Sequence, residues 1–394
     1  MLANQKRSRP RKWVGLSVGT LGTIATISLA YGVEQSARSV GNSMPNPGSV
    51  VVNEGIQRIT QKILNDAIEA EEATDGFAIV ADPLTGKILA VANVDTKNEK
   101  KGYWALSQLI EPASIAKTLV VAEAIELEKT TPKEKHFCEN GKYKIFGRTF
   151  HDWKDTGFSY LTTAQTVARS SDICTVKIAE KIGLEGIHGL LEKYGFGPDG
   201  TASAYPQGRV GQLPPRGGRL GKFLIPYVAY GQGFRSTALE LVQAYGAIAN
   251  GGNLLMPLLA DAPDSSRKVV RRVLSDENAE KMREILREVV LSGTGKRNAA
   301  SYLYTTAGKT ASSFSPDDTW IDESRGTRKS NMAGFIGFAP ANNPRVEVYV
   351  SIRNPQVSRD RDSGAHGSEH AAPVFKQIAE AVLQQMQVAP DNLQ

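Results

Sequence analysis

The chain has 394 residues, of which 41% are hydrophobic and 22% charged, and this balance is typical of a globular protein. Collagen-like, disordered and disulfide-rich chains are therefore excluded. The formal net charge is +6, but five cationic side chains lie before residue 13, so the rest of the chain is almost neutral and no nucleic-acid-binding surface is predicted.

An uncharged stretch from residue 13 to residue 33 follows these cations. It is long enough to cross a bilayer as one helix. The cations on its N-terminal side predict a cytoplasmic tail at 1–12, a membrane anchor at 13–33 and a body outside the cytoplasm. Ser28-Leu29-Ala30 also fits a signal-peptidase site, so a cleaved signal peptide is the alternative. A short spacer and a helix at 56–71 are predicted within residues 34–75.

The body of the chain has strand patterns, then helix patterns, then strand patterns again. Two strands, at 77–81 and 87–92, flank a turn and predict a hairpin. Helical periodicity dominates the next segment, with candidates at 116–126, 163–182 and 238–249. Strands follow at 303–307, 332–338 and 345–352, and a last helix at 372–385. The predicted fold is α/β: an antiparallel sheet flanked by helices, with a large all-helical insertion between the second and third strands.

The chain gives no sign of a metal or cofactor site. Cys138 and Cys174 are far apart and not in C-x-x-C spacing, so two unpaired thiols are favoured over a bridge. His366 and His370 lie four residues apart in a segment that is a poor helix, without an evident third ligand. We therefore predict neither a metal nor a cofactor.

Ser114 and Lys117 form an S-x-x-K pattern at the start of a predicted helix. The two side chains are one turn apart, and a desolvated lysine there could take the hydroxyl proton and make the serine a nucleophile. The pattern alone is weak evidence, because Ser265 and Lys268 match it equally in a polar turn.

Two further motifs give Ser114 its context. Ser170-Ser171-Asp172 places two hydroxyls and a carboxylate in the helical segment, where they could relay a proton. Lys309-Thr310-Ala311-Ser312 places a cation and hydroxyls on a predicted strand, suited to holding a substrate carboxylate. Taken alone, the first motif would be ordinary polar residues in the interior or at the end of a helix, and the second an exposed strand end.

In this order, the three motifs resemble those of the penicillin-recognising serine enzymes. The chain is most similar to the transpeptidase domain of class B penicillin-binding proteins. Other segments share the resemblance: 82–90, 230–233, 244–252, 293–296, 334–340 and 371–375. The resemblance places the transpeptidase domain at 76–388, followed by a tail at 389–394, and the segment before residue 76 is too short for a pedestal or a glycosyltransferase domain.

The resemblance implies a peptidoglycan D,D-transpeptidase without a cofactor. Ser114 would attack the penultimate D-Ala carbonyl of a stem peptide, and Lys117, assisted by Ser170 and Asp172, would take its proton. Lys309 and Thr310 would bind the terminal carboxylate, and the backbone N–H groups of Ser114 and Ser312 would stabilise the oxyanion. Beta-lactam antibiotics would acylate the same serine.

The resemblance also implies where the protein acts and with what. Its expected location is the bacterial inner (cytoplasmic) membrane, with the catalytic domain periplasmic or extracellular. Besides stem peptides and beta-lactams, the expected partners are the membrane and other cell-wall synthesis proteins.

Ala311 departs from the family pattern, which has glycine beside the carboxylate-binding threonine. A methyl group there is expected to crowd the substrate and slow acylation by roughly five- to a hundred-fold. Three alternatives stay open: a D,D-carboxypeptidase, a beta-lactamase, and a non-catalytic homologue that acts as a binding or scaffold protein.

Overall fold

The computed structural model describes residues 50–392, except 98, 101, 155, 215, 217–220, 323–325 and 357–364. The side chains of 221–222 and 314–330 are not described either. The predicted tail and anchor at 1–33 lie outside these residues. Of the two units into which the chain divides, 1–39 and 40–394, only the second contains described residues. Within the described part, no helix combines the length and the apolar character that a membrane span requires.

A six-stranded sheet forms the centre of the body. Its order is β10-β11-β12-β1-β2-β8, antiparallel throughout except for the β2–β8 pair. The strands of this sheet are β1 (Asp75–Ala81), β2 (Lys87–Asp95), β8 (Leu258–Leu259), β10 (Ala307–Asp322), β11 (Gly326–Ala339) and β12 (Val346–Arg353). The predicted hairpin at 77–92 is confirmed as β1 and β2.

The sheet is covered on both faces. Every residue of β1 is buried, and successive residues enter two different cores because side chains of a strand alternate in direction. Phe77 and Ile79 join the core shared with the insertion, and Ala78 and Val80 join the core beneath the terminal helices. An antiparallel sheet flanked by helices is therefore confirmed.

The outer layer consists of α1 (Glu54–Ala70) and α8 (Ala371–Gln385). Asn53 caps α1 by accepting a hydrogen bond from Ile56 N, and Ile56, Thr60, Leu64 and Ile68 form its buried stripe at four-residue spacing. Phe375 of α8 packs on Phe335 of β11, with ring centroids 4.6 Å apart. Both helices were predicted from this periodicity.

The insertion between β2 and β10 contains most of the remaining helices. They are α2 (Ala116–Glu126), α3 (Thr163–Arg169), α4 (Asp172–Lys193), α5 (Gly221–Ala229), α6 (Ala238–Ala249) and α7 (Asp276–Leu291). Short strands also occur: β3 (Lys135–Phe137), β4 (Lys142–Ile145), β5 (Arg148–His151), β6 (Tyr160–Thr162), β7 (Asn253–Leu255) and β9 (Val269–Arg272). The prediction that the insertion is all-helical is therefore wrong, because strands of three or four residues are too short to show an alternating pattern.

Two element predictions need correction. The helix predicted at 163–182 is two helices, broken where Ser170 adopts a left-handed conformation with φ 56°. The strand predicted at 303–307 begins only at Ala307, because the backbone N–H groups of Tyr304 and Thr305 bond to side chains of Ser301 and Asp391 instead of a neighbouring strand.

The two cysteines form a disulfide, which corrects the prediction of unpaired thiols. Cys138 and Cys174 lie 36 residues apart in sequence with Cα atoms 4.9 Å apart. Both are buried in a small apolar cluster with Leu161 and Ile173. Sequence spacing could not reveal the pair, because a chain reversal through β3–β6 brings the two segments together. The bridge attaches the first turn of α4 to the segment after β3.

Candidate active site

Ser114 lies in a short 3-10 turn, Ala113–Ile115, that leads directly into α2. Ala113 before it has φ 52°, a left-handed conformation that is unfavourable for an L-residue with a side chain. Gly231 holds this turn in place: its carbonyl accepts from Ala113 N at 3.0 Å, and a Cβ at Gly231 would lie 2.0 Å from Ala113 O. Ser114 itself is half-buried. The local strain thus presents one serine at the N-terminal end of a helix.

The helix behind Ser114 is anchored in the core. Tyr245 of α6 donates to Ile115 O at 2.9 Å and lies 2.8 Å from Thr118 Oγ1. Residues 116–125 are buried around the whole circumference of α2, including Lys117. A helix fixed in this way gives the serine a defined position.

Lys117 lies three residues after Ser114, in the first turn of α2, and is 1% exposed. Its Nζ donates to Ser170 O at 2.7 Å and to Ser170 Oγ at 3.1 Å, and it pairs with Asp172 Oδ1 at 2.7 Å. An ammonium has three protons, so these three acceptors satisfy it completely. To act as a base, Lys117 must first transfer one of these protons.

The break between α3 and α4 places Ser170 and Asp172 against Lys117. Ser170 ends α3, Ser171 caps α4 by accepting from Cys174 N, and Asp172 is the first residue of α4. A continuous helix would direct residues 170 and 172 to different sides, because they lie 200° apart around the axis. The left-handed Ser170 lets its carbonyl, its hydroxyl and the Asp172 carboxylate meet at one ammonium.

Lys309, on strand β10 of the sheet, also contacts the Ser170 hydroxyl. Its Nζ is fully buried and lies 3.0 Å from Ser170 Oγ, 3.1 Å from Thr310 O and 3.4 Å from Thr310 Oγ1. Burial, followed by repulsion from Lys117, holds the pKa of Lys309 well below its usual range. Among the described residues, no carboxylate lies within ion-pair distance of Lys309. An arriving anion would therefore meet a lysine whose charge no carboxylate of the described residues already neutralises.

The rest of the strand motif is also located. Thr310 Oγ1 lies 2.7 Å from Thr294 Oγ1, and Ser312 Oγ accepts from Gly367 N at 3.1 Å. The methyl group of Ala311 is 1% exposed and buried in the core shared with the insertion. A Cβ on Gly334, its partner across the ladder, would lie 3.3 Å from that methyl carbon.

The structure thus brings Lys117, Ser170, Asp172, Lys309 and Thr310 into one hydrogen-bonded group, with Ser114 three residues before Lys117. Ser170 Oγ is at the centre of this group, because it accepts a hydrogen bond from each of the two lysines. Its own proton remains available to a third partner. Such a group can pass a proton between a serine and a lysine and hold an anion beside them.

Two residues of this region were missed by the sequence analysis. Thr294 lies in the segment 293–296, which is among the segments that resemble the family but was given no role. Asp152 lies outside every motif, and its carboxylate binds the first turn of α4. A lone aspartate after a short strand gave no signal, because its partners are 19 to 21 residues away in sequence.

The chain is similar to known proteins over most of its length. Residues 76–380 match the family model for the penicillin binding protein transpeptidase domain. The chain is 27% identical to stage V sporulation protein D of Bacillus subtilis, over 94% of this chain and 59% of that protein. It is 30% identical to penicillin-binding protein PbpB of Mycolicibacterium smegmatis, over 87% of this chain and 55% of that protein. The chain therefore spans little more than half the length of these relatives.

A solved structure with the same fold covers the body of the chain. The transpeptidase domain of penicillin-binding protein 3 from Burkholderia pseudomallei, determined in its apo form, superposes with a TM-score of 0.75 at 29% identity. The superposition covers 88% of this chain and 99% of that domain. Residues 76–380, which match the family model, contain all three motifs.

Proposed function

Because this chain belongs to the penicillin-binding protein transpeptidase family, we propose that it is a peptidoglycan D,D-transpeptidase that works through an acyl-enzyme on Ser114. The observation that carries the proposal is the single hydroxyl of Ser170 shared by two buried lysines, Lys117 at 3.1 Å and Lys309 at 3.0 Å. One lysine serves proton transfer and the other serves anion binding, and both meet beside the strained turn that presents Ser114.

Acylation follows from these positions. Lys117 first loses one proton to solvent through the Ser170 hydroxyl. Ser114 Oγ then attacks the penultimate D-Ala carbonyl, and its proton passes to the neutral amine of Lys117. The backbone N–H groups of Ser114 and Ser312 stabilise the oxyanion. Collapse of the tetrahedral intermediate breaks the peptide bond, and the leaving D-Ala amine takes the proton from Lys117. An amine of a second stem peptide then attacks the ester, Lys117 takes the amine proton, and Ser114 Oγ receives that proton as the ester bond breaks.

Lys309 and Thr310 bind the terminal carboxylate of the donor peptide. Burial disfavours the charged form of Lys309, and a substrate carboxylate restores it by supplying the missing counter-charge. The hydroxyl of Thr310, held by Thr294, adds a neutral donor beside it. A beta-lactam carries a carboxylate in the corresponding position and reacts at the same serine.

The location we propose is the outer face of the bacterial cytoplasmic membrane, with residues 13–33 as anchor. The Cys138–Cys174 disulfide supports this location, because disulfides persist in compartments outside the reducing cytoplasm. A reporter that is active only after export, fused behind Gln394, should be active. If the mature protein begins at Tyr31, the stretch 13–33 belongs to a cleaved signal peptide and is not an anchor.

The first test is labelling with fluorescent penicillin. Wild-type protein should be labelled at Ser114, and Ser114→Ala should abolish labelling. The matched control is Ser265→Ala, because Ser265 also precedes a lysine by three residues, but Ser265 and Lys268 are both exposed. Mass spectrometry that locates the adduct on Ser265, or finds none at saturating drug, would contradict the proposal.

A further inference from the structure

Asp152 follows β5 and lies under the N-terminal end of α4, with a side chain that is 8% exposed. Its Oδ1 accepts from Asp172 N at 2.7 Å, from Ile173 N at 3.3 Å and from Ser171 Oγ at 3.0 Å, and Oδ2 accepts from Ser171 Oγ at 3.3 Å. The carboxylate therefore binds three successive residues at the point where the chain enters α4.

This contact is more than a helix cap. Ser171 already caps α4 through Cys174 N at 3.1 Å. The shortest bond of Asp152 goes to the backbone of Asp172, whose side chain pairs with Lys117. Asp152 thus fixes the main chain of the residue that holds the lysine of the S-x-x-K motif.

Asp152 also adds a second negative charge near Lys117. The charged groups that act on it are Asp172 from α4 and Lys117 from α2, and Lys309 from β10 lies beyond Lys117. Burial and the neighbouring Asp172 raise the pKa of Asp152, whereas its hydrogen-bond donors and Lys117 oppose that shift. The donors to Asp152 are N–H and O–H groups, which favour the ionised carboxylate.

We propose that Asp152 is a positioning residue for acylation, a proposal that rests on the function proposed above. Its carboxylate holds the α3–α4 junction so that Ser170 and Asp172 engage Lys117. Asp152 would not touch the substrate and would act only through Asp172, Ser170 and Lys117.

The experiment measures the second-order rate of acylation by a fluorescent penicillin between pH 5 and pH 9. Asp152→Asn keeps an oxygen acceptor and removes the charge. Burial raises the pKa of the Asp152 carboxyl, and an asparagine side chain does not titrate, so the acid limb of the profile should move to lower pH in Asp152→Asn. Asp152→Ala loses the acceptor as well and should acylate about ten-fold more slowly or worse.

A double-mutant cycle separates positioning from general damage to the fold. In an Asp172→Asn background, Asp152→Ala should slow acylation by less than it does in the wild type, because the Asp172–Lys117 ion pair that Asp152 positions is already absent. Full additivity of the two effects would overturn the proposal. A pH profile of Asp152→Asn identical to that of the wild type would also overturn the proposal. This variant tests the proposal even if Asp152→Ala does not fold.

Glu126→Gln is the matched control. The carboxylate of Glu126 binds the N-cap of another helix in the same manner, accepting from Ser275 N at 3.1 Å and from Asn278 Nδ2 at 2.8 Å. Its loss should leave the acylation pH profile unchanged, and a shift like that of Asp152→Asn would overturn the proposal. If wild-type protein is not acylated at all, the proposed function fails. If wild-type protein is acylated and the Asp152 variants are acylated in the same way, the inference about Asp152 fails while the proposed function stands.

Discussion

The methyl group of Ala311 has a different setting from the one that the sequence suggested. Residues of a strand alternate between its faces, so Ala311 points to the same side as Lys309, toward the insertion. There it is 1% exposed, and Gly334 opposite leaves the space that it occupies. Tyr349 lies next to that space, because a Cβ on Gly334 would be 3.6 Å from Tyr349 Cε2. The alanine therefore fills a pocket inside the fold.

This setting makes the expected effect of Ala311 on catalysis smaller. We expect Ala311→Gly to change the acylation rate by less than about five-fold, the lower end of the range estimated from the sequence alone. Gly334→Ala should instead cost about 1 to 3 kcal/mol of unfolding free energy, because its new methyl group meets Ala311. The two changes combined should cost less than Gly334→Ala alone. Acylation kinetics and urea unfolding check these expectations, and a rise well above five-fold in Ala311→Gly would restore the crowding interpretation.

Among the elements, those whose pattern is local could be predicted from the sequence. The helices at 116–126 and 238–249 have the predicted bounds, and the hairpin at 77–92 was recognised from its turn residues. The break between α3 and α4 could not be predicted, because Ser170 continues an apolar periodic run. Its left-handed backbone is accompanied by a contact with Lys117, which is distant in sequence. The same holds for the site: the side chains of the hydrogen-bonded group all come from the predicted motifs, but Asp152 depends on a contact between distant segments.

The break leads to a prediction about Ser170. Glycine accepts a left-handed conformation without the penalty that a Cβ incurs, which is about 1 kcal/mol or more. Ser170→Gly should therefore be more stable than Ser170→Ala by about 1 kcal/mol, whereas both variants lose the hydroxyl and should acylate poorly to a similar extent. Urea unfolding and penicillin labelling measure the two properties separately. Equal stabilities would show that the conformation at 170 is not strained.

On the scale of the whole molecule, one buried carboxyl group is exceptional. Glu347 of β12 is 1% exposed, and neither of its oxygens has a hydrogen-bond partner among the described residues. It lines a small, partly open pocket together with Gln243, whose Oε1 also lacks a partner in the described part of the chain. Burial raises the pKa of Glu347 well above its usual range. An ionised form here would be costly, so the folded protein favours the neutral acid.

The sign of the pH dependence follows from this raised pKa. The group binds its proton more tightly in the folded state, so its contribution to stability is complete below about pH 4.5 and is lost as the pH rises toward the folded-state value. Glu347→Gln should match the wild type at pH 4 and become progressively more stable than it at higher pH. Thermal unfolding across this range is the measurement, with the exposed Glu69→Gln as control. A stability difference that does not depend on pH would contradict the assignment.

The order of the sheet also has a consequence for the time at which the protein becomes reactive. β1 pairs with β2, its neighbour in the chain, but also with β12, from Asp75 opposite Arg353 to Ala81 opposite Glu347. Contacts between such distant segments form late, because a long loop must close first. Ser114 also precedes Lys309 in the chain, so it emerges from the ribosome first. A growing chain therefore has the serine before it has the lysine of the anion site. Acquisition of penicillin reactivity by a newly made chain would thus report closure of the sheet, and a pulse-chase experiment could time that closure.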